Sequence, residues 1–150
     1  RRLRSVFFPV KGSLVGLLRY GSTIGELPGD KLDLVDNDLD FWVVASDERW
    51  AAFCQGFARE MLRLGFLACT LALTGQGPGP QRVLRTLTCL RMEPSPFRVE
   101  VSPFEVAADQ LVPSEGSALP YDLVFPLRRC KAFNSSVPCP QRPAAFLRAR

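Results

Sequence analysis

The chain has 150 residues, enough for one domain with its own core, and its apolar fraction of 47% and charged fraction of 23% are ordinary for a globular protein. No apolar run approaches the ~20 residues needed to cross a bilayer, so no transmembrane segment is predicted within the 150 residues. The net charge of +4 weakly favours an anionic partner, and the lack of histidine excludes the commonest general base and the commonest zinc ligand.

The start of the chain predicts a turn and a helix. It opens with RRLRSVFFPVKG, without an initiator Met or a signal-peptide pattern, and reads as a single domain excised from, or internal to, a longer protein. Residues 12–20, GSLVGLLRY, predict a glycine-opened turn that enters a short helix. Residues 21–33 hold three Gly and a Pro and predict a loop, and a strand is expected at about 36–45.

The clearest helix is predicted over residues 46–64. Ser46 can cap its N-terminus, and Gly65 ends it. Apolar side chains recur along it at helical spacing: Trp50, Phe53, Phe57, Met61 and Leu64. This periodicity predicts one face packed on the core.

Further strands are predicted after this helix. Residues 66–73, FLACTLAL, and 82–92, RVLRTLTCLRM, flank a TGQGPGPQ turn and predict a β-hairpin. Residues 97–106, FRVEVSPFEV, alternate like another strand, and the Pro-rich remainder has one strong segment at 123–133. The order α, β, α, β, β, β predicts an α+β fold, a mixed sheet with helices packed on one side.

Five cysteines occur, with no C-x-x-C pair. This odd, scattered set does not indicate a disulfide scaffold or a zinc site. Cys54, Cys69 and Cys89 lie inside apolar patterns and are predicted to be buried small hydrophobes. Cys130 and Cys139 could pair in an oxidising compartment, and the sequence leaves that question open.

Three aspartates alternate where the strand at 36–45 begins. In LVDNDLDFWVV, Asp36, Asp38 and Asp40 share one strand face, ~7 Å apart from one to the next. They can converge on one cation, and without it they would repel each other and their pKa values would rise. All-oxygen ligands favour Mg²⁺ or Mn²⁺ over zinc, and an EF-hand is excluded because its sixth loop position, which must be Gly, is Phe41. The less favoured alternative is a solvated strand end.

The elements around the aspartates fit phosphate chemistry. The Gly12-Ser13 turn lies upstream and can present backbone N–H groups to phosphate. A Mg²⁺ ion held by the acids can bridge phosphate oxygens and neutralise the charge that builds up on transfer. A third acid, Glu100, lies on the strand at 97–106. This layout resembles that of the polymerase-β-like nucleotidyltransferase fold.

Four motifs in this order resemble the LicD family, which includes fukutin and fukutin-related protein: GSLVGLLRYG, VDNDLDF, RVEVSPF and DLVFPLRRCKAFNSSVPCPQRPAAFL. The resemblance covers roughly residues 9–148. It implies a Mg²⁺- or Mn²⁺-dependent phosphotransferase that moves an alcohol phosphate, such as phosphocholine or ribitol phosphate, from a CDP-activated donor to a glycan hydroxyl. The implied partners are that donor and a glycan or glycoconjugate acceptor, with no nucleic acid.

The resemblance also implies roles for the residues near the first motif. Gly12 and Ser13 would form the phosphate-facing turn, and Arg19 would contact the donor phosphates. The loop between Arg19 and Asp36 is longer than the family's usual arrangement by about nine residues. We expect the longer loop to alter the donor or acceptor pocket.

The same resemblance implies roles for the acids. Asp38 and Asp40 would hold the Mg²⁺, and Asp36 would support them or bind a second ion. Glu100 would complete the metal site or act as base toward the acceptor hydroxyl. The chain has Asn37 where many members carry a further Asp, and Glu100 where they carry Asp, which changes the geometry of the metal site.

Alternatives remain for the function and the compartment. A nucleotidyltransferase of the same fold, or a non-catalytic regulatory member, would share these motifs. Arg128, Arg129 and Lys131 could bind diphosphate or form a solvated strand edge. Residues 134–136, NSS, fit an N-glycosylation acceptor. The compartment would be the Golgi or secretory-pathway lumen in a eukaryote and the cytoplasm in a bacterium.

Overall fold

The computed structural model describes residues 6–21, 37–74, 84–93, 96–114, 116–132 and 135–149. Its elements in chain order are β1 (Phe7–Pro9), α1 (Lys11–Tyr20), β2 (Asp38–Val44), α2 (Asp47–Arg63), β3 (Ala68–Thr74), β4 (Leu84–Arg91), β5 (Phe97–Ala107), β6 (Gln110–Pro113), β7 (Leu119–Pro120), a 3-10 helix (Tyr121–Leu123), β8 (Arg128–Ala132), β9 (Ser135–Cys139) and α3 (Pro143–Arg148). Within these ranges, no helix combines the length and the apolar character that a membrane span requires.

One mixed sheet organises the described part of the chain. Its strands follow the order β1-β2-β5-β4-β3, and β6 and β7 extend it from β5. β2 and β5 run parallel, whereas β5 is antiparallel to β4 and β4 to β3. A parallel pair needs a long crossover, which α2 and the β3–β4 hairpin supply here. The predicted α+β class with a mixed sheet is therefore confirmed.

The predicted β-hairpin and the predicted ends of the long helix are confirmed in the described residues. The hairpin forms between β3 and β4, and Ser46 occupies the N-cap position of α2, although its hydroxyl makes no capping hydrogen bond. Gly65 follows the helix with φ +89°, a left-handed conformation that suits glycine. The three-residue strand β1 was not predicted. The loop expected at 21–33 and the turn expected at 74–81 fall almost entirely outside the described residues.

Helices pack on both faces of the sheet, so the expectation of a single helical side is wrong. One core cluster joins Leu14 and Leu17 of α1 to Trp42 and Phe104. The other contains Val43 of β2 and four residues of α2: Trp50, Phe53, Cys54 and Met61. Successive residues of a strand point to opposite faces. Because Trp42 and Val43 are both buried, β2 is apolar on both faces and must be covered on both.

Two disulfides link neighbouring strands. Cys69 and Cys89 are directly opposite each other on β3 and β4 and form one of them. Cys130 and Cys139 form the other, across the β8–β9 hairpin. The expectation that the cysteines do not form a disulfide scaffold, with Cys69 and Cys89 as buried small hydrophobes, is wrong for this pair, because its pairing depends on strand register rather than on local pattern. Cys54 is buried and free.

Removing the Cys130–Cys139 disulfide should destabilise the chain. Replacing both residues with Ala should lower the free energy of unfolding by about 2–3 kcal/mol, since the crosslink restricts the unfolded chain. Both residues also belong to the core cluster around Trp42 and Phe146. Urea unfolding monitored by Trp fluorescence measures the change. Wild-type protein under reducing conditions should show at least the same loss, and an unchanged midpoint in the double variant would contradict the prediction.

Candidate functional site

The parallel pairing of β2 and β5 brings the predicted acids together. Its register sets Asp38 opposite Arg98 and Asp40 opposite Glu100. Opposite residues on paired strands project from the same face and lie ~4.8 Å apart across the sheet. The three acids therefore form one cluster with Arg98, although Asp38 and Arg98 are 60 positions apart in sequence. Asp36, the fourth predicted acid, lies outside the described residues.

The junction between β1 and α1 fixes the backbone of Asp40. The N–H of Val10 donates to the Asp40 carbonyl at 2.9 Å, and the Asp40 N–H donates to Ser13 Oγ at 2.8 Å. Ser13 is fully buried, and Asp40 is 6% exposed. The Ser13 hydroxyl, which lies in the motif expected to face phosphate, thus accepts a hydrogen bond from β2 and holds the carboxylate in position.

Gly12 and Ser13 lie inside the first turn of α1 rather than in a turn before it. The helix starts at Lys11, and the N–H of Leu14 donates to the Val10 carbonyl at 3.2 Å. The N–H groups of Lys11, Gly12 and Ser13 precede this bond, so the helix itself provides them with no acceptor. They carry the partial positive charge of the helix N-terminus, which favours an anion.

Two cations that the sequence analysis did not single out lie among the acids. Lys11 Nζ is 3.1 Å from Asp40 Oδ1 and 3.8 Å from Glu100 Oε2. Arg98 Nη2 is 2.5 Å from Asp38 Oδ2, and Arg98 Nε is 3.2 Å from Glu100 Oε1. Three negative charges against two positive ones leave the cluster with a net charge of −1. The signals in the sequence were that Lys11 directly precedes Gly12 and that Arg98 alternates with Glu100 on β5.

The environment of Asp40 disfavours its ionised form. Burial is the main cause, and it raises the pKa of the Asp40 carboxyl above the usual 3.8. The charge and hydrogen bond of Lys11 lower this pKa, and the negative charges of Asp38 and Glu100 raise it further. The pKa of Arg98 is raised, first by its hydrogen bond with Asp38 and then by the charge of Glu100. The Asp40 carboxyl therefore depends on the nearby charge of Lys11 to stay ionised.

The donor set matches the chemistry of a hard cation. Asp38, Asp40 and Glu100 supply carboxylate oxygens, which Mg²⁺ and Mn²⁺ prefer. Asp40 is buried and its pKa is raised, so an added positive charge would relieve the cost of its ionisation. In the part of the chain that the structure describes, no group of three or more His, Cys, Asp or Glu side chains stands in a ready metal-binding arrangement. Lys11 and Arg98 occupy the space between the acids instead.

The chain matches no family model, and no curated protein is significantly similar to it. The likeness to the LicD family thus stays a prediction that rests on its four motifs. The geometry adds that two of those motifs, GSLVGLLRYG and VDNDLDF, meet at the hydrogen bond between Ser13 and Asp40. A third, RVEVSPF, meets them at Glu100.

Among the described residues, the basic side chains with predicted phosphate contacts form no ion pair with the acids. Arg19 is exposed in the last turn of α1, about 9 Å along the helix axis from Ser13. Arg129 donates from Nε to Ser136 Oγ at 3.0 Å, within the β8–β9 hairpin. Residue 134 of the glycosylation triplet lies outside the described ranges.

An apolar cavity of about 600 Å³ lies on the other face of the sheet. It is bounded by α2 and by the side chains of β2 and β5 that alternate with the acids, including Leu39, Phe41 and Val99. The sheet itself therefore separates this cavity from Asp40 and Glu100. The candidate site is the polar sheet face beside the start of α1, and Thr88, opposite Glu100 on β4, extends that face.

The hydrogen bond from Asp40 to Ser13 predicts a stability effect. Ser13→Ala should lower the free energy of unfolding by about 1–3 kcal/mol, because the Asp40 N–H would be left buried without this acceptor. Chemical denaturation measures the loss. Ser46→Ala is a matched control, since Ser46 is exposed and its hydroxyl makes no capping hydrogen bond. Equal effects of the two substitutions would show that the Ser13 hydroxyl does not hold β2.

Proposed function

We propose that the chain is a Mg²⁺- or Mn²⁺-dependent phosphotransferase domain on a nucleotidyltransferase-like fold. It moves an alcohol phosphate from a CDP-activated donor to a hydroxyl of a glycan or glycoconjugate. The single observation that carries the proposal is the meeting of Asp38, Asp40 and Glu100 on one sheet face, next to the N-terminus of α1. The LicD-like motifs supply the substrate class, and the geometry supports the reaction type.

Different residues of the site would bind the cation and the donor phosphate. Asp38 and Asp40 would hold the cation, and the backbone N–H of the exposed Gly12 would bind a phosphate of the donor. Ser13 is fully buried and positions Asp40 instead. When bound, a divalent cation neutralises phosphate oxygens and stabilises the charge that develops during transfer. The hydrogen bonds of Val10 and Ser13 to the Asp40 backbone preset the distance between the cation ligands and this phosphate-binding helix end.

Glu100 is the best placed acid to act as the base. Its side chain is 22% exposed, against 8% for Asp40, so an acceptor hydroxyl can reach it. It would accept the hydroxyl proton while the acceptor oxygen forms a bond to the phosphorus of the alcohol phosphate. The bond from that phosphorus to the CMP oxygen breaks, and CMP leaves with the electron pair. The hydroxyl of Thr88, opposite Glu100, is available to orient the acceptor.

The two disulfides bear on the compartment. Disulfides persist in oxidising surroundings such as the secretory-pathway lumen and are rare in the cytosol. The pairs Cys69–Cys89 and Cys130–Cys139 therefore favour a lumenal site of action. This agrees with a glycan or glycoconjugate as the acceptor.

A non-catalytic member of the family is the second candidate, and one observation favours it. Lys11 and Arg98 already supply two positive charges to three acids. A chain whose acids are permanently paired with these two cations would need no metal ion. Calorimetric titration with Mn²⁺ separates the candidates, because a regulatory member would bind no divalent ion and would not respond to Asp38→Ala.

A thermal-shift screen followed by product analysis tests the enzymatic proposal. CDP-choline, CDP-ribitol and CDP-glycerol are each added with Mg²⁺ or with EDTA, and one donor should raise the melting temperature only with Mg²⁺. Mass spectrometry of the product should then show the alcohol phosphate on the acceptor and free CMP. A nucleotide left on the acceptor would indicate nucleotidyl transfer instead. No Mg²⁺-dependent shift, or the same shift in Asp38→Ala, would refute the proposal.

A further inference from the structure

Lys11 has an unusual backbone conformation at the start of α1. Its φ of +50° lies in the left-handed region, which side chains other than glycine seldom adopt. It is the first residue of the helix and stands between Val10, whose N–H binds the Asp40 carbonyl, and Gly12. The strained residue is therefore also the one whose ammonium reaches the acid cluster. Such strain persists only where the surrounding structure holds it, often at functional sites.

The ammonium of Lys11 bridges acids on two strands. It lies 3.1 Å from Asp40 Oδ1 on β2 and 3.8 Å from Glu100 Oε2 on β5. This is the position from which one cation can contact both carboxylates. A divalent ion that used Asp40 as a ligand would need the carboxylate that the ammonium now contacts and would be repelled by the ammonium charge.

Lys11 is the partner that can move. Its side chain is 39% exposed, so it can turn into solvent without opening the core. The backbone of Asp40, by contrast, is fixed by hydrogen bonds to Val10 and Ser13. Lys11 also directly precedes the exposed Gly12, whose N–H has no acceptor within the helix, so a rotation of the Lys11 side chain would bring the ammonium toward an anion bound at this helix end.

We propose that Lys11 is an internal competitor for the divalent cation. Its ammonium holds the place between Asp40 and Glu100 in the metal-free chain, is displaced when the cation binds, and is then free to contact a phosphate of the donor. The inference rests on the proposed function, because it assumes that Asp40 is a cation ligand. It adds that the affinity of the site for divalent ions is set by a residue of this chain that does not itself bind them.

Isothermal titration calorimetry with Mn²⁺ alone tests the inference. Lys11→Met should bind Mn²⁺ at least about tenfold more tightly than wild type, because one positive charge next to the ligands is removed. Lys11→Arg keeps the charge and should stay close to wild type. Arg63→Gln removes an arginine from an exposed pair with Glu60 on α2 and should leave the affinity unchanged. Lys11→Gly, which accepts the left-handed φ without strain, gives a second charge-free variant if Lys11→Met folds poorly.

The outcomes separate the two proposals. Wild type and both charge-free variants binding Mn²⁺ equally would overturn the role of Lys11 and leave the proposed function standing. No binding by any of them would overturn both. Binding by the charge-free variants but not by wild type would support the competitor role and favour the non-catalytic candidate for the chain as it stands. Tighter Mn²⁺ binding by Arg63→Gln as well would show that the gain in affinity comes from the lower net charge of the protein rather than from the position of Lys11, and it would overturn the inference.

Discussion

Replacing Asp40 with Asn should abolish turnover and at the same time stabilise the metal-free protein. Under the proposed function Asp40 is a cation ligand, and a bound cation supplies several kcal/mol of transition-state stabilisation, so losing this ligand should lower the rate at least about 1000-fold. In EDTA the variant should melt at a higher temperature than wild type. In wild type, burial disfavours the charged carboxylate of Asp40, and Asp38 and Glu100 repel it. The backbone hydrogen bonds from Val10 and to Ser13 do not depend on the side chain, so the fold should survive.

The stabilisation should depend on pH with a definite sign. The pKa of Asp40 in the folded chain lies above the usual 3.8, with burial as the main cause, so the folded state takes up the proton first as the pH falls. The ionised carboxylate therefore destabilises wild type fully above its folded pKa, and this penalty disappears as the pH falls through that pKa toward 3.8. The difference in melting temperature between Asp40→Asn and wild type should be largest at neutral pH and shrink on acidification.

An exposed acid provides the control for Asp40. The side chain of Asp122 is 65% exposed, and its Oδ2 lies 3.4 Å from Nη1 of Arg142, which is also exposed. Asp122→Asn should change neither turnover nor the melting temperature appreciably, since exposed ion pairs contribute little. Turnover that persists in Asp40→Asn would remove the basis for the metal-ligand assignment. A lower melting temperature in EDTA would show that the ion pair with Lys11 outweighs burial.

Phe8→Ala should cost about 3–5 kcal/mol of unfolding free energy, the range for a large buried aromatic residue truncated to Ala. Phe8 is fully buried, and its ring packs against Phe104, Phe146 and Trp42, with ring centres 5.5, 5.8 and 6.1 Å away. These partners belong to β5, α3 and β2, so one side chain joins three parts of the fold. Strand β1 has only three residues, so it depends on this contact for its place in the sheet.

The neighbouring residue is a matched control for Phe8. Phe7 is also on β1 but points to the other face, is 45% exposed and packs edge-on against Phe41. Phe7→Ala should cost about 1 kcal/mol, because less apolar area leaves water when this ring folds into place. Urea denaturation at one pH gives both values. Similar losses for the two variants would mean that the cavity left at Phe8 collapses and that the aromatic cluster does not anchor β1.

Displacement of β1 would also disturb the geometry of the candidate site. β1 leads directly into Val10 and Lys11, whose contacts with Asp40 define one side of the acid cluster. We therefore expect Phe8→Ala to weaken Mn²⁺ binding by more than Phe7→Ala does, even where both variants remain folded. The comparison links the packing of the core to the geometry of the acids.

Local pattern was sufficient for the six longest elements of the described chain, from α1 to β5. The helix at 46–64, the hairpin at 66–92 and the strand at 97–106 follow from side-chain periodicity, and the structure has α2, β3, β4 and β5 at nearly these positions. Periodicity depends only on neighbours in sequence, so it can be recognised before the fold is known. It did not reveal that Trp42 and Val43 are both buried and that helices therefore cover both faces.

By itself, the sequence determined that Asp38 and Asp40 lie on one face of β2, because alternate residues of a strand must do so. Only the tertiary structure decided that Glu100 stands opposite Asp40, that Lys11 and Arg98 lie between the acids, and that Cys69 meets Cys89. The strand pairings depend on register, and the contact of Lys11 depends on how α1 packs against β2. Register is set by the apolar faces of two strands and the connection between them taken together, so neither segment alone specifies it.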